Sequence, residues 1–269
     1  MPHAVVQGRK LYYELHGQRP GPPFVLAMGI GGSCRGWLPL QVPEFSRERA
    51  TLIFDYPGVG GSEDKPGAFR TADLADTLAA LLDALEIPRA DVGGAFMGGM
   101  VAQELALRHP QRVERLVLMG SYARPDAKRR LLLEQWRELS RIDAPLSVMI
   151  RDRLLWTAHD DTIAQTDLID SMIEFFTRDG APLSAELFAR QCSACLEHDT
   201  LARLGEIRQP TLVIGGAHDL LTPPKLQREL AAGIRDARVV SIPSGAHLVM
   251  VEAAETWNRA VLQFLAEGR

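Results

Sequence analysis

The sequence predicts an α/β domain with a mostly parallel sheet, helices on both faces and an inserted helical segment. Short apolar runs alternate with amphipathic segments, which is the pattern of a parallel sheet with crossover helices. Between residues 121 and 204 only helical patterns occur. A chain of 269 residues, 46% of them hydrophobic, can bury one large core. We therefore expect a core domain, residues 1–120 and 205–269, interrupted by a helical cap, residues 121–204.

Several segments are predicted to be strands of this sheet. Lys10–Glu14 has the mixed polar and apolar residues of a hairpin arm, whereas the other strands are short apolar runs. Those runs are Phe24–Met28, Leu52–Asp55, Leu116–Met119, Thr211–Ile214 and Arg238–Ile242. The run Ala90–Gly94 contains two glycines, which lower its strand propensity, so it is placed in the sheet because of the turn motif that follows it.

Helices are predicted from apolar residues at helical spacing. The segment from Thr71 to Leu85 has this spacing and is expected to pack on the sheet, with Thr71 as its N-cap. A second helix is expected to end near His109, because Pro110 cannot continue it. The cap is expected to fold over the carboxyl edge of the sheet, where open α/β sheets bind ligands. Its predicted helices are 126–142, 145–156, 167–178 and 183–198.

Charge, hydropathy and cysteine count exclude several classes of function. The 30 basic and 34 acidic residues are interspersed, with a net charge of −4, so neither nucleic acid nor a membrane is an expected partner. The first residues do not open a signal peptide, and no window approaches the ~20 apolar residues of a membrane span, so we expect a cytoplasmic protein. Three cysteines do not make a disulfide framework. No metal-ligand spacing or cofactor motif occurs, so we expect a site without metal or cofactor; the oligomeric state stays open.

Five short motifs follow predicted strands in a fixed order. They are Met28–Ser33, Asp55–Ser62, Gly94–Gly99, Gly215–Asp219 and Ser244–His247. Together they resemble the turns of the α/β-hydrolase superfamily, particularly small capped esterases and enol-lactonases, over nearly the whole chain. This resemblance implies an α/β-hydrolase fold with a catalytic site at the carboxyl edge of the sheet.

The resemblance also implies roles for individual residues. His247 matches the base of the family, and Asp219 is placed to accept its Nδ1 proton and fix the tautomer. The oxyanion hole is expected from two backbone N–H groups, those of Ile30 and Met97. The alternative is that His247 and Asp219 only hold two loops together, and that the glycines beside Ile30 only shape a turn.

One position departs from the pattern of the family. The resemblance implies a serine nucleophile in the elbow Gly94–Gly99, where this sequence has Ala95 and Phe96. Phe96 has no nucleophilic atom, and a bulky residue at positive φ costs of order 1 to 3 kcal/mol. Covalent acyl transfer through the elbow is therefore not expected. Ser33 and Cys34 are the nearest other nucleophiles, Cys34 as a thiolate beside the base.

The expected ligand is a small, largely apolar organic molecule. The cap is rich in Leu, Met, Phe and Trp, although such residues at helical spacing also fill the core of a cap. The predicted pocket residues are Gly29, Ser33, Cys34, Ala95, Trp136 and Trp156.

Three functions fit these residues. The first is an enzyme without a covalent intermediate, of hydrolase, lyase or cyclase type, in which His247 oriented by Asp219 is the general base. The second is a ligand-binding pseudoenzyme with Phe96 in its pocket wall. The third is an inactivated Ser-to-Phe variant of a serine esterase or lactonase. We favour the first, because a binding pocket does not require the base, its carboxylate and both oxyanion loops.

Overall fold

An eight-stranded sheet forms the centre of the computed structural model, which describes residues 2–142, 144–179 and 183–267. The strands are β1 (His3–Val6), β2 (Arg9–His16), β3 (Phe24–Ala27), β4 (Thr51–Phe54), β5 (Ala90–Ala95), β6 (Val113–Met119), β7 (Thr211–Gly216) and β8 (Ala237–Ile242). Their order is β1-β2-β4-β3-β5-β6-β7-β8. β2 pairs antiparallel with β1 and β4, and all other pairs are parallel. The mostly parallel sheet is therefore confirmed, and β1 is an addition to the predicted strands.

Helices cover both faces of this sheet. They are α1 (Val42–Glu48), α2 (Thr71–Ala84), α3 (Met97–Arg108), α4 (Ala127–Arg141), α5 (Leu146–Thr157), α6 (Asp160–Ile163), α7 (Thr166–Glu174), α8 (Ala185–Glu197), α9 (Pro224–Gly233), α10 (Val249–Glu252) and α11 (Ala254–Ala266). Buried side chains of α1 and α11 belong to one apolar cluster, and those of α2, α3 and α9 belong to a second. Among the described residues, no helix has both the length and the hydropathy to cross a membrane.

Helices α4 to α8 lie between β6 and β7 in the chain. The predicted helix 167–178 is divided, because α7 ends at Glu174 and a π-helical turn, Phe175–Asp179, follows it. Buried side chains of α4 and α8, among them Trp136 and Phe188, join the core that α2 and α3 share with the sheet. We therefore propose that residues 121–204 form a cap that is continuous with the core. The end residues of the predicted core domain, 1, 268 and 269, lie outside the described part of the chain.

The start of α2 corrects the predicted N-cap. Arg70 is the N-cap residue, and its backbone N–H donates to Asp73 at 2.7 Å. Thr71 lies inside the helix, and its hydroxyl is 2.9 Å from Nδ1 of His198, a buried residue just after α8. Burial lowers the pKa of His198 to about 3. A neutral imidazole thus ties the end of the cap to α2.

Substitution of His198 tests this buried contact. The pKa of His198 is near 6.5 in an unfolded chain and about 3 in the fold, so the unfolded state takes up the proton first. The free energy of unfolding should therefore fall as the pH decreases from about 6.5 to about 3. Glutamine keeps hydrogen-bonding groups but does not titrate. We therefore expect the free energy of unfolding of His198→Gln to depend less on pH. Urea unfolding near pH 7 and near pH 5 measures it, and identical pH dependence in the two chains would contradict a buried neutral ring.

Candidate active site

The turn between β5 and α3 positions the site. Its central residue, Phe96, has φ 45° and ψ −104°, which non-glycine residues rarely adopt. Two glycines permit so tight a turn. A Cβ on Gly94 would lie 2.2 Å from the carbonyl carbon of Gly98, and a Cβ on Gly98 would lie 2.2 Å from the carbonyl oxygen of Ala27. The turn is therefore pressed against the end of β3, and α3 begins directly after it.

The ring of Phe96 is packed between the core and the site. It is 1% exposed, and its centroid lies 5.7 Å from that of His247 and 5.6 Å from that of Tyr122, both edge to face. Its backbone N–H donates to the carbonyl of Met119, and its carbonyl accepts from the Ser121 hydroxyl, each at 2.9 Å. Packing and hydrogen bonds on both sides thus stabilise a strained residue.

Alanine and glycine at position 96 separate the packing of the ring from the strain of the turn. Both substitutions remove the ring, which for a buried phenylalanine costs about 3 to 5 kcal/mol. Only glycine also relieves the strain of the positive φ, which stabilises the fold by about 1 to 3 kcal/mol. Part of this gain is offset because glycine has a larger conformational entropy in the unfolded state. We expect Phe96→Gly to exceed Phe96→Ala in free energy of unfolding by roughly 1 kcal/mol in denaturant titrations. An alanine variant as stable as the glycine variant would show that the turn is not strained.

His247 and Asp219 form a hydrogen-bonded pair beyond the ends of β8 and β7. Nδ1 of His247 lies 2.9 Å from Oδ2 of Asp219. Thr222 holds the same carboxylate, since its N–H donates to Oδ1 and its hydroxyl to Oδ2, both at 2.6 Å. Thr222 is not among the predicted site residues, although a threonine three residues after an aspartate suits such a turn.

This pair contains a buried carboxylate. Burial raises the pKa of Asp219, but the charge of protonated His247 and the hydrogen bonds from His247 and Thr222 outweigh burial, so the pKa is below its ordinary 3.8. An ionised Asp219 accepts the Nδ1 proton, which leaves Nε2 of His247 as the basic nitrogen. Within the described part of the chain, the hydrogen bonds of this ring involve Nδ1 alone. His247 can therefore act as a base toward a group in the cavity that it lines.

One cavity of about 160 Å³ lies beside this base. Ile30, Phe96 and His247 line it from the side of the sheet, and residues of the cap line it from the other side. Of the predicted pocket residues, those that line it are Gly29, Ser33, Ala95 and Trp136. Among residues 2–142, 144–179 and 183–267, no cluster of three or more His, Cys, Asp or Glu side chains could hold a metal ion.

Two predicted pocket residues lie elsewhere, which corrects their assignment. Cys34 is fully buried, its N–H donates to the Asp55 carboxylate at 2.7 Å, and burial and Asp55 raise the pKa of its thiol well above its usual value. It is therefore not a thiolate at neutral pH. The Trp156 ring lies 4.8 Å from the ammonium of Lys128 and away from the cavity. A different face of helix α5, which includes Ile150, lines the cavity.

The two backbone N–H groups predicted to be oxyanion donors belong to Ile30 and Met97. Ile30 follows β3, and Met97 is the first residue of α3, where N–H groups lack partners within the helix and favour negative charge. Among the described residues, neither N–H makes a hydrogen bond. The next N–H in the loop, that of Gly31, donates to Oε1 of Gln191 in α8 at 2.9 Å. Helix α8 thus holds the loop that carries Ile30.

The fold, the elbow turn and the His-Asp pair agree with a known family. The family model for the alpha/beta hydrolase fold matches residues 22–254. The chain belongs to the α/β-hydrolase family. The crystal structure of the enol-lactonase from Burkholderia xenovorans LB400 is similar, with a TM-score of 0.89, 30% identity, and coverage of 99% of this chain and 100% of that chain.

Two relatives of this α/β hydrolase are named for other reactions. The "Putative carbamate hydrolase RutD" of Azorhizobium caulinodans is 29% identical over 272 residues, covering 99% of each chain. The "Putative non-heme bromoperoxidase BpoC" of Mycobacterium tuberculosis is 34% identical over 250 residues, covering 91% of this chain and 94% of that protein. These names support an enzyme of the hydrolase family, while the reaction differs among the relatives.

Proposed function

We propose that the chain is an α/β-hydrolase enzyme that acts without a covalent intermediate on a small, largely apolar carbonyl compound. In this proposal Phe96 occupies the position of the serine nucleophile, His247 is a general base, and the N–H groups of Ile30 and Met97 form the oxyanion hole. The observation that carries the proposal is the 2.9 Å hydrogen bond from His247 Nδ1 to Asp219, because it orients a ring that lines the cavity.

Hydrolysis in this site would begin with water. Nε2 of His247 takes a proton from a water molecule while the water oxygen forms a bond to the carbonyl carbon. The carbonyl electrons become an oxyanion, which the two backbone N–H groups stabilise. As the intermediate collapses, the bond to the leaving group breaks and the imidazolium returns the proton to that group. Asp219 stays ionised and stabilises the imidazolium. The same nitrogen acting on a carbon-bound proton would give a lyase or cyclase instead.

A phenylalanine in the elbow is compatible with slow turnover. In triad enzymes, the oxyanion hole and substrate binding alone accelerate hydrolysis about 10³-fold or more over water. The cavity of about 160 Å³ beside Phe96 and His247 leaves room for a small molecule. We therefore expect hydrolysis that is slower than that of a serine hydrolase and faster than that of the uncatalysed reaction.

The burial of Phe96 supports a second candidate, a ligand-binding pseudoenzyme. The ring is 1% exposed and contributes to both the core and the cavity wall, as a permanent part of a binding pocket would. This candidate gives no role to the ionised Asp219, to Thr222 or to the oriented imidazole. For that reason we favour catalysis.

Substitution of His247 tests the general base. Assayed on short esters, thioesters and lactones, the chain should hydrolyse at least one substrate, and His247→Ala should be slower by about 10²- to 10⁴-fold. His218→Ala is the matched control, because His218 precedes Asp219 but is exposed and does not line the cavity. Initial rates at equal protein concentration measure the difference. Equal rates for His247→Ala and the unmodified chain would refute the base assignment.

Phe96→Ser distinguishes the three functions in the same assay. If the unmodified chain is inactive and Phe96→Ser is active, the chain is an inactivated serine hydrolase and the proposal fails. If both are inactive while a ligand still binds, the pseudoenzyme is favoured. Under the proposal, the unmodified chain is active and its activity depends on His247.

A further inference from the structure

The cavity carries a positive charge that the proposed mechanism does not use. Arg153 in α5 lines the cavity beside His247 and also a second cavity of about 340 Å³. Its guanidinium carbon lies 5.1 Å from the centre of the Phe188 ring. Burial lowers the pKa of Arg153 to about 10, so the group is still protonated at neutral pH. A positively charged group therefore borders both cavities.

Within the described part of the chain, this guanidinium has no carboxylate partner within 4.0 Å. The neighbouring acid, Asp152, accepts a hydrogen bond from Nε1 of Trp136 at 2.6 Å. Two other arginines of this segment are paired, Arg151 with an aspartate of α7 and Arg190 with Asp64. A partly buried charge without a counter-ion is costly, so a site that keeps one is suited to an anionic ligand.

The contact with Gly31 locates the guanidinium. A Cβ built on Gly31 would lie 2.0 Å from Nη1 of Arg153, and Gly31 has φ +74°. The positive φ favours glycine at this position, and the short contact shows that the guanidinium lies directly against the loop that carries Ile30. Gly31 follows Ile30, and neighbouring Cα atoms are about 3.8 Å apart. A ligand with its carbonyl at the N–H of Ile30 would therefore have an anionic group at Arg153 only a few bonds away.

We propose that Arg153 is a specificity residue that binds a carboxylate of the substrate, a short-chain acid whose reacting carbonyl lies a few bonds from that carboxylate. A half-ester of a short dicarboxylic acid is one such compound. The role of the carbonyl rests on the proposed function, but binding of the carboxylate does not require catalysis.

The chemistry of the cavity favours this class of ligand. The guanidinium of Arg153 presents two parallel N–H groups that match the two oxygens of a carboxylate. One cation among mostly apolar walls suits a monoanion better than a phosphate dianion, which would lose more hydration. Ile150, Leu154 and Leu248 line the same cavity and would contact the carbon chain. The expected ligand is thereby narrowed from a largely apolar molecule to an amphiphilic anion.

Pentanoate and pentanamide test this site, because they have similar shapes and differ in charge. By isothermal titration calorimetry on the unmodified chain, we expect pentanoate to bind about tenfold more tightly or better. Arg153→Gln should abolish the preference, and Arg153→Lys should keep part of it, since lysine retains the charge without the planar fork. Arg151→Gln, two residues away on the exposed side of α5, is the matched control and should keep the full preference.

Two results would overturn the carboxylate site. One is equal affinity for the two probes, or no binding of pentanoate, on the unmodified chain, which needs no variant to fold. The other is an undiminished preference in a folded Arg153→Gln chain.

Hydrolysis of monoethyl and diethyl succinate separates this proposal from the catalytic one. Under both proposals, kcat/KM favours the monoester, and Arg153→Gln removes that preference. Preferred binding of pentanoate without hydrolysis of any ester would sink the catalytic proposal alone. Hydrolysis that depends on His247 but shows no preference for the anion would sink the carboxylate site alone.

Discussion

The turn between β5 and α3 touches the end of β3 so closely that it fixes the geometry of the whole site. Gly94 and Gly98 leave no space for a Cβ, and residue 96 is held at φ 45° between them. This backbone directs the side chain at position 96 toward His247 and brings the first N–H of α3 to the carboxyl edge of the sheet. The proposed oxyanion donors belong to the backbone, so a phenylalanine at position 96 leaves them in place.

The other groups reach the site because parallel strands end at the same edge of the sheet. Asp219 and His247 follow adjacent strands, and their hydrogen bond holds the base beside the cavity. Helices α8 and α5 add two polar groups, Gln191 at the N–H of Gly31 and Arg153 in the cavity. The sheet thus supplies the proposed reaction chemistry, and the cap supplies the charge that would select the substrate.

The positions of most strands along the chain and the His-Asp pair could be predicted, because motifs at strand ends depend on local chain geometry. Even β5, whose glycines weaken its propensity, could be placed from the turn that follows it. Side-chain direction could not be predicted in the same way. Thr71 forms a hydrogen bond with His198 instead of capping its helix. Trp156 does not lie on the face of α5 that lines the cavity. Arg153 is three residues from Ile150, so helical spacing alone places the two on one face of α5. Which face lines the cavity depends on tertiary packing, so the sequence could not identify Arg153 as a cavity residue.

Turnover in this site should proceed without a covalent bond between the chain and the substrate. Intact-mass spectrometry of the protein, sampled during steady-state hydrolysis of an ester, tests this most directly. We expect product to accumulate in a reaction that needs His247 while the protein keeps the mass of the free chain. A protein whose mass rises by one acyl group during turnover and falls back when the ester is consumed would contradict the account, because a side chain such as Ser33 would then be the nucleophile.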